Sequence, residues 1–360
     1  MSARIVGVIS ALLLSTPALA TDSFRGLGGV PVGGFLSAAN GVSGNGSVVV
    51  GVASNGSALV AVRWTSAGMF ELGDLSGGGT GTAAIEASFT ARAIVGGGSS
   101  ANGSEAFRWS RTGMIGLGDL PGIGPFASRA TATSADGRVV VGLSQRPQNL
   151  HGYNAWRWTA AGGMVDLGDL PGGDFHGIAN DVSADGSVVV GASASSGGGE
   201  GFIWKAATGM RGLGDLPGGV FGSSAVGISA DGTVVVGSGS SPAGSEAIRW
   251  TRAGGMVGLG DLPGGNFSST GAAVSVDGNV IVGTGSSANG FEAFLWTPSL
   301  GIVSLKQFLL DRGVTDVAGW TLVFANDVSA DGLTIVGNGI NPDFQNEAWV
   351  ATIELDEVNR

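Results

Sequence analysis

Short apolar runs and glycine-marked turns alternate along this chain in one fixed order. Ala273-Val-Ser-Val-Asp-Gly-Asn-Val-Ile-Val-Gly283 reads as two β-runs joined at Asp-Gly, the strongest short hairpin signal. Glu292-Ala-Phe-Leu-Trp296 alternates, which puts Phe294 and Trp296 on one face of a strand. A Gly-Gly turn leads into Met256-Val-Gly-Leu, and Pro263-Gly-Gly265 ends the unit. Four strands of about five to six residues with four tight connections fill about 46 residues.

That order comes round seven times. Anchored on tryptophan, the copies fall at Trp64, Trp109, Trp158, Trp204, Trp250 and Trp296, at intervals of 45, 49, 46, 46 and 46 residues. A seventh copy, 55 residues on, has Ala351 in the anchor position and Trp349 two residues earlier. Leu-Gly-Asp-Leu follows five of the tryptophans, beginning at Leu72, Leu117, Leu167, Leu213 and Leu259, with weaker forms at Leu27 and Leu305. The Asp-Gly turn recurs at Asp136, Asp185, Asp231, Asp277 and Asp331, becomes Asn45-Gly46 in the first copy, and is lost from the second.

A period of this length marks one small supersecondary unit that buries its apolar face only against its neighbours. The arithmetic fits one four-stranded blade of a β-propeller, so the predicted fold is all-β with seven blades. The chain ends are complementary. Phe24-Arg-Gly-Leu-Gly is a fourth-strand element without three strands before it, and the last copy stops after its third strand. A ring would close by joining the two, which hides both sheet edges. An open β-solenoid is the alternative and would need caps.

The last copy carries an extra segment at about 305–320. Leu305, Phe308, Leu309 and Arg312 suit a short amphipathic helix ended by Gly313, expected as a plug or lid that finishes the array.

Composition narrows the class. Residues 1–20 hold one charge, Arg4, an apolar run Ile5–Leu14 and Ala18-Leu19-Ala20, the pattern of a cleaved secretory signal peptide. The expected mature chain, 21–360, is one domain with 16 basic and 28 acidic side chains, net −12. That surface repels nucleic acid and anionic headgroups. No second apolar stretch suits a membrane span. With no cysteine, disulfides and thiolate chemistry are excluded.

Catalytic signatures are sparse. His151 and His176 are the only histidines, too few for histidine zinc sites or a Ser-His-Asp system. No copy gathers enough oxygen ligands for a calcium loop, and the glycine stretches lack the lysine of a phosphate loop. No catalytic, cofactor or metal residue is therefore assigned and no cofactor is expected. Two carboxylates would suffice for a glycosidase, but a catalytic pair should break the symmetry of the repeat.

The repeated aspartates have a structural explanation. Arg63, Arg108, Arg157 and Arg249 precede the anchor tryptophan, and Asp74, Asp119, Asp169 and Asp261 follow 11 or 12 residues later. Copies without the arginine mostly lack the acid, which predicts a cross-strand Arg–Asp pair in four blades. The six anchor tryptophans are expected as blade core. The one polar insertion, Gln145–Tyr153, holds the only tyrosine, so Arg146, His151 and Tyr153 are the candidate ligand loop.

Glu105-Ala-Phe-Arg-Trp109, Gly162-Gly-Met-Val-Asp-Leu-Gly-Asp-Leu-Pro-Gly-Gly173 and Ser183-Ala-Asp-Gly-Ser-Val-Val-Val-Gly191 together resemble the bacterial HAF-family extracellular repeat. The likeness spans nearly all of the mature chain and implies an exported bacterial protein with no catalytic residues to carry over. The expected function is a non-enzymatic binding or cell-envelope module, expected to be a monomer. It would sit in the periplasm, at the cell surface or outside the cell, with a polysaccharide or protein as its unknown partner. A carboxylate-based carbohydrate hydrolase and a purely structural surface protein are the alternatives.

Overall fold

The computed structural model describes residues 22–29, 36–79, 81–121, 126–145 and 152–355. Strand makes up 59% of it and helix 3%, so the molecule is all-β. The strands form consecutive antiparallel meanders of four. In one, the inner strand Ser223–Ile228 pairs with Val234–Ser241, then Gly244–Thr251, then the outer strand Gly255–Gly260. The last meander, Thr321–Val328, Thr334–Ile340 and Asn346–Thr352, takes its fourth strand from the other end of the chain. Ser23–Gly26 lies antiparallel to it, from Ser23 opposite Thr352 to Gly26 opposite Trp349.

The inner strands touch in sequence, and Ser37–Val42 of the first unit also touches Thr321–Val328 of the last. A repeated joint fastens successive units. The Ser128 hydroxyl accepts from Ala106 N of the preceding unit, and Ser269 does the same for Ala247 N. Ser37 accepts from Ala348 N, so the same joint links the last unit to the first.

Each Asp-Gly lies in a six-residue connection rather than the two-residue hairpin its sequence predicts. Val274 pairs with Ile281, and Ser275–Val280 form the turn. The Ser275 hydroxyl donates to Asp277 Oδ1 and accepts from Val280 N, while Gly278 takes φ +73°. The serine and aspartate satisfy the backbone groups that a longer connection leaves open. The second unit, without Asp-Gly, keeps the same turn: Ser88 accepts from Ala93 N, and Ala91 is held at φ +51°.

Every inner strand also carries a β-bulge near its end, between Ala39 and Gly41 in the first unit and between Ala179 and Asp181 in the fourth. A bulge re-aims the side chain after it. Here that residue faces the place where the inner strands meet.

The core is one layer deeper than the anchor tryptophans imply. Phe107, Trp156, Phe202, Ile248, Phe294 and Trp349, each two residues before the anchor position, are fully buried. Gly142 and Gly337 stand opposite Trp156 and Trp349, and a Cβ at either would come within 2.5 Å of the indole. Of the anchors only Trp64 is buried. Trp109, Trp158, Trp204, Trp250 and Trp296 are half-buried at the margin of the cores.

The expected helix is present at Leu305–Asp311, capped by Ser304 and followed by Gly313 at φ +83°. It fills the slot that Leu-Gly-Asp-Leu occupies elsewhere. Leu305 and Leu309 are buried with Phe24, Trp320 and Trp349. Arg312 reaches Asp22 at 3.3 Å, so the helix also ties down the N-terminal strand.

Candidate functional site

Side chains that break the repeat converge at the axis of the inner strands. The residue after each bulge is Gly41, Glu86, Ala132, Asp181, Gly227, Ala273 or Asp327. Three units thus place a carboxylate where four place glycine or alanine. Glu86, Asp181 and Asp327 line a cavity of about 270 Å³ to which every inner strand among the described residues contributes, with Val42, Thr133, Ile228 and Ala273 in its wall. The rim is made by the serine turns, which hydrogen-bond from unit to unit: Phe89 N to Ala135 O, Ala135 N to Ala184 O, Ala184 N to Ala230 O, Ala330 N to Gly44 O.

The three residues are half-buried where they line this cavity. Burial raises Asp181 to about 6. Burial, with the charge of Asp181, raises Asp327 to about 7. Glu86 is pushed well above the carboxylate range by burial first, then by Asp327 and Asp181. Two of the three also clasp the neighbouring unit. Asp181 Oδ2 accepts from Ile228 N at 2.8 Å and Oδ1 from its own neighbour Val182 N. Asp327 repeats this with Val42 N at 2.7 Å and Val328 N. Glu86 accepts from Ala87 N. Among the described residues no three His, Cys, Asp or Glu side chains are gathered closely enough to hold a metal ion.

These acids carry a signal in the sequence: at one aligned position, acids replace small residues in three copies. The recurrent Leu-Gly-Asp-Leu aspartates and the Asp-Gly aspartates obscure it, because they are more numerous and easier to see.

The predicted Arg–Asp pairs do not form. No ion pair joins Arg63 to Asp74, Arg108 to Asp119, Arg157 to Asp169 or Arg249 to Asp261. Arg249 lies opposite Val257, and Asp261 comes four residues later, beyond the strand end at Gly260. Four residues of strand span about 13 Å, so the two side chains diverge. The arginines instead reach the next unit's turn. Arg108 Nε donates to Gly137 O at 2.8 Å, Arg157 to Gly186 O and Arg249 to Gly278 O. Arg63 faces the unit that lost Asp-Gly, and its buried Nε has no partner; its guanidinium lies over Trp109 and Phe70.

The aspartates close the loop to the following unit. Asp119 accepts from Leu120 N and Ala127 N, Asp261 from Leu262 N, Ser268 N and Ser286 N. Asp169 accepts from Leu170 N and the Ser193 hydroxyl, Asp74 from the Thr82 hydroxyl.

Of the candidate ligand loop, Arg146 and His151 lie outside the described residues. Tyr153 opens a third strand and packs edge-on against His176 of the next unit, ring centroids 5.6 Å apart.

No family model and no curated protein matches the sequence. Solved structures do match the fold. An oligogalacturonate lyase from Vibrio parahaemolyticus aligns over 95% of this chain and 99% of its own at 11% identity and TM-score 0.57. A chain of a mitotic checkpoint complex aligns over 98% and 100% at 12% identity and TM-score 0.51. TolB from Acinetobacter baumannii aligns over 71% of this chain at 13% identity and TM-score 0.46, and the match spans 61% of TolB. The lyase is a β-propeller, and at this identity the likeness extends to the fold alone.

Proposed function

We propose that the protein is an exported, non-enzymatic binding or cell-envelope module. Its body is a single-domain seven-bladed propeller spanning 21–360, closed by the N-terminal strand. Closure is supported by Ser23–Gly26 on the last sheet and by the Ser37–Ala348 joint. Export is supported by the leader pattern of residues 1–20 and by the resemblance to the HAF repeat. No helix among the described residues is long and apolar enough to cross a membrane.

One observation carries the reading. Asp181 and Asp327 break the repeat as catalytic acids would, yet each spends both oxygens on backbone amides and bridges two units. A general acid must instead offer its proton to a substrate oxygen within hydrogen-bond reach. Asp181 and Asp327 therefore serve as clasps that hold a rigid ring, and ligands are met on its faces.

The test is to incubate the exported, purified protein with a panel of neutral and acidic polysaccharides. Retention and the release of reducing ends are measured together. Binding without release supports the module. Release that disappears in Asp181→Asn or Asp327→Asn would establish a hydrolase instead. X-ray scattering from the same sample should give the compact envelope of a disc, and a rod would remove the ring.

A further inference from the structure

The fourth unit departs from the repeat at three positions that meet at one groove. Ile203 stands where four units have an arginine, three of them bound to the next unit's turn. Lys205 stands where the other six have Thr65, Ser110, Thr159, Thr251, Thr297 and Thr352. Arg211 replaces the apolar Phe70, Ile115, Val165, Val257 and Val303, a change shared only by Arg25 on the N-terminal strand that completes the last sheet. Ile203 is too short to reach the next turn at Gly232, and the junction of the fourth and fifth units opens into a cavity of about 780 Å³.

Lys205, Arg211, Arg249 and Arg252 line it, with Ile203 and Trp250 as apolar wall and Thr233 and Thr251 as hydroxyls. Among the described residues Asp277 is the one acid in the lining, and its carboxylate is already engaged by Ser275 and Asn279. Arg249 is anchored to Gly278 O, whereas Lys205, Arg211 and Arg252 make no side-chain hydrogen bond or ion pair among the described residues. Four cations around one acid are unexpected in a chain of net charge −11.

We propose that this groove binds an acidic saccharide, a sugar ring carrying a carboxylate or sulfate. Guanidinium forks match the planar or tetrahedral oxyanion, and the indole with Ile203 offers an apolar bed for the ring. The volume suits one or two rings rather than a bare inorganic ion. The negative field of the rest of the surface repels long polyanions that cannot place a charge in the groove. The assignment rests on the binding-module reading and names its ligand class.

Calorimetric titration of the whole exported protein with a galacturonate trisaccharide, a sulfated disaccharide, a neutral cello-oligosaccharide and inorganic phosphate decides it. One acidic saccharide should bind saturably, at least tenfold tighter than the neutral sugar and phosphate; which one separates carboxylate from sulfate. Lys205→Thr with Arg211→Val, which restores the repeat's own residues, should weaken it at least tenfold. Ile203→Arg, which refills the gap, should do the same. Circular dichroism and melting confirm that both variants stay folded. No saturable binding of either acidic sugar, equal binding of phosphate or neutral sugar, or unchanged affinity in both variants overturns the assignment. The module reading survives any of these if the wild type still retains another polysaccharide, and fails if it releases reducing ends.

Discussion

Asn154 Nδ2 donates to Asp166 Oδ2 across the third and outer strands of the third unit, at 2.5 Å, and Asp166 Oδ1 accepts from Gly168 N. Elsewhere one glutamate does this work. Glu105 reaches Gly118 N, Glu200 reaches Gly214 N, Glu246 reaches Gly260 N, and Glu347 reaches Gly28 N on the closing strand. Each of these glutamates lies over a glycine, Gly116, Gly212, Gly258 or Gly26, where a Cβ would strike its carboxylate. In the third unit the acid has moved to the outer strand, and the third-strand residue is correspondingly shorter. The link between Glu-Ala-Phe-Arg-Trp and Leu-Gly-Asp-Leu is thus this carboxylate and a glycine N–H.

Gly116→Asp alone should therefore destabilise, by about 2 kcal/mol or more, since it crowds a second carboxylate onto Glu105. Adding Glu105→Asn transplants the third unit's pairing and should recover most of the loss. Melting curves of the two single variants and the double variant read this directly. A double variant no better than Gly116→Asp would show that the exchange is not compensatory.

Arg108 and Asp119 should behave as independent residues. Asp119→Ala leaves Ala127 N and Leu120 N without their acceptor and should cost about 1–2 kcal/mol. Arg108→Leu loses the bond to Gly137 O. In a double-mutant cycle the two losses should add within about 0.5 kcal/mol. A larger coupling energy in denaturant unfolding would revive an ion pair.

Lowering the pH from 8 to about 5 should raise stability. Asp181 and Asp327 titrate above their unfolded values, so between about pH 4 and 7 the folded protein holds protons that the unfolded chain has released. Stability is highest below that window and falls as pH rises through it. Asp136, Asp185 and Asp231 act oppositely. Hydrogen bonds from Ser134, Ser183 and Ser229 lower them, and their contribution is lost only in stronger acid. Melting temperature against pH should slope downward from 5 to 8, and Asp327→Asn should flatten it; an unchanged slope would exclude Asp327 as the titrating group.

Ala91 sits where the other serine turns have glycine, at φ +51°. A left-handed non-glycine residue costs about 1–2 kcal/mol, of which unfolded-chain entropy takes back about half on replacement by glycine. Ala91→Gly should raise the melting temperature slightly. Gly186→Ala, whose Cβ would come within 2.5 Å of Val139 Cγ2, should lower it clearly. The opposite ranking in a thermal-shift assay would contradict the shared turn geometry.

Trp156→Ala should cost about 3–5 kcal/mol, because its ring is fully enclosed beside Gly142. Trp250→Ala, at a half-buried margin, should cost visibly less. Equal losses in urea titrations would place both in one layer.

The sequence alone determined what repeats. Period, strand alternation and turn glycines are local properties, so the four-stranded unit, the places of the Asp-Gly turns though not their six-residue form, the helix at Leu305–Asp311 and the match between Phe24-Arg-Gly and the unfinished last sheet were legible in the sequence. Partner choice was not. The spacing of Arg249 and Asp261 fitted a pair, yet the strand ends before the acid and the arginine crosses to another unit. Tertiary structure also decided which departures matter. A bulge turns Glu86, Asp181 and Asp327 to a common axis, although they lie far apart along the chain. The stacking of two units brings Lys205 and Arg211 beside Arg252. Those meetings depend on how sheets pack against one another, an arrangement no local pattern encodes.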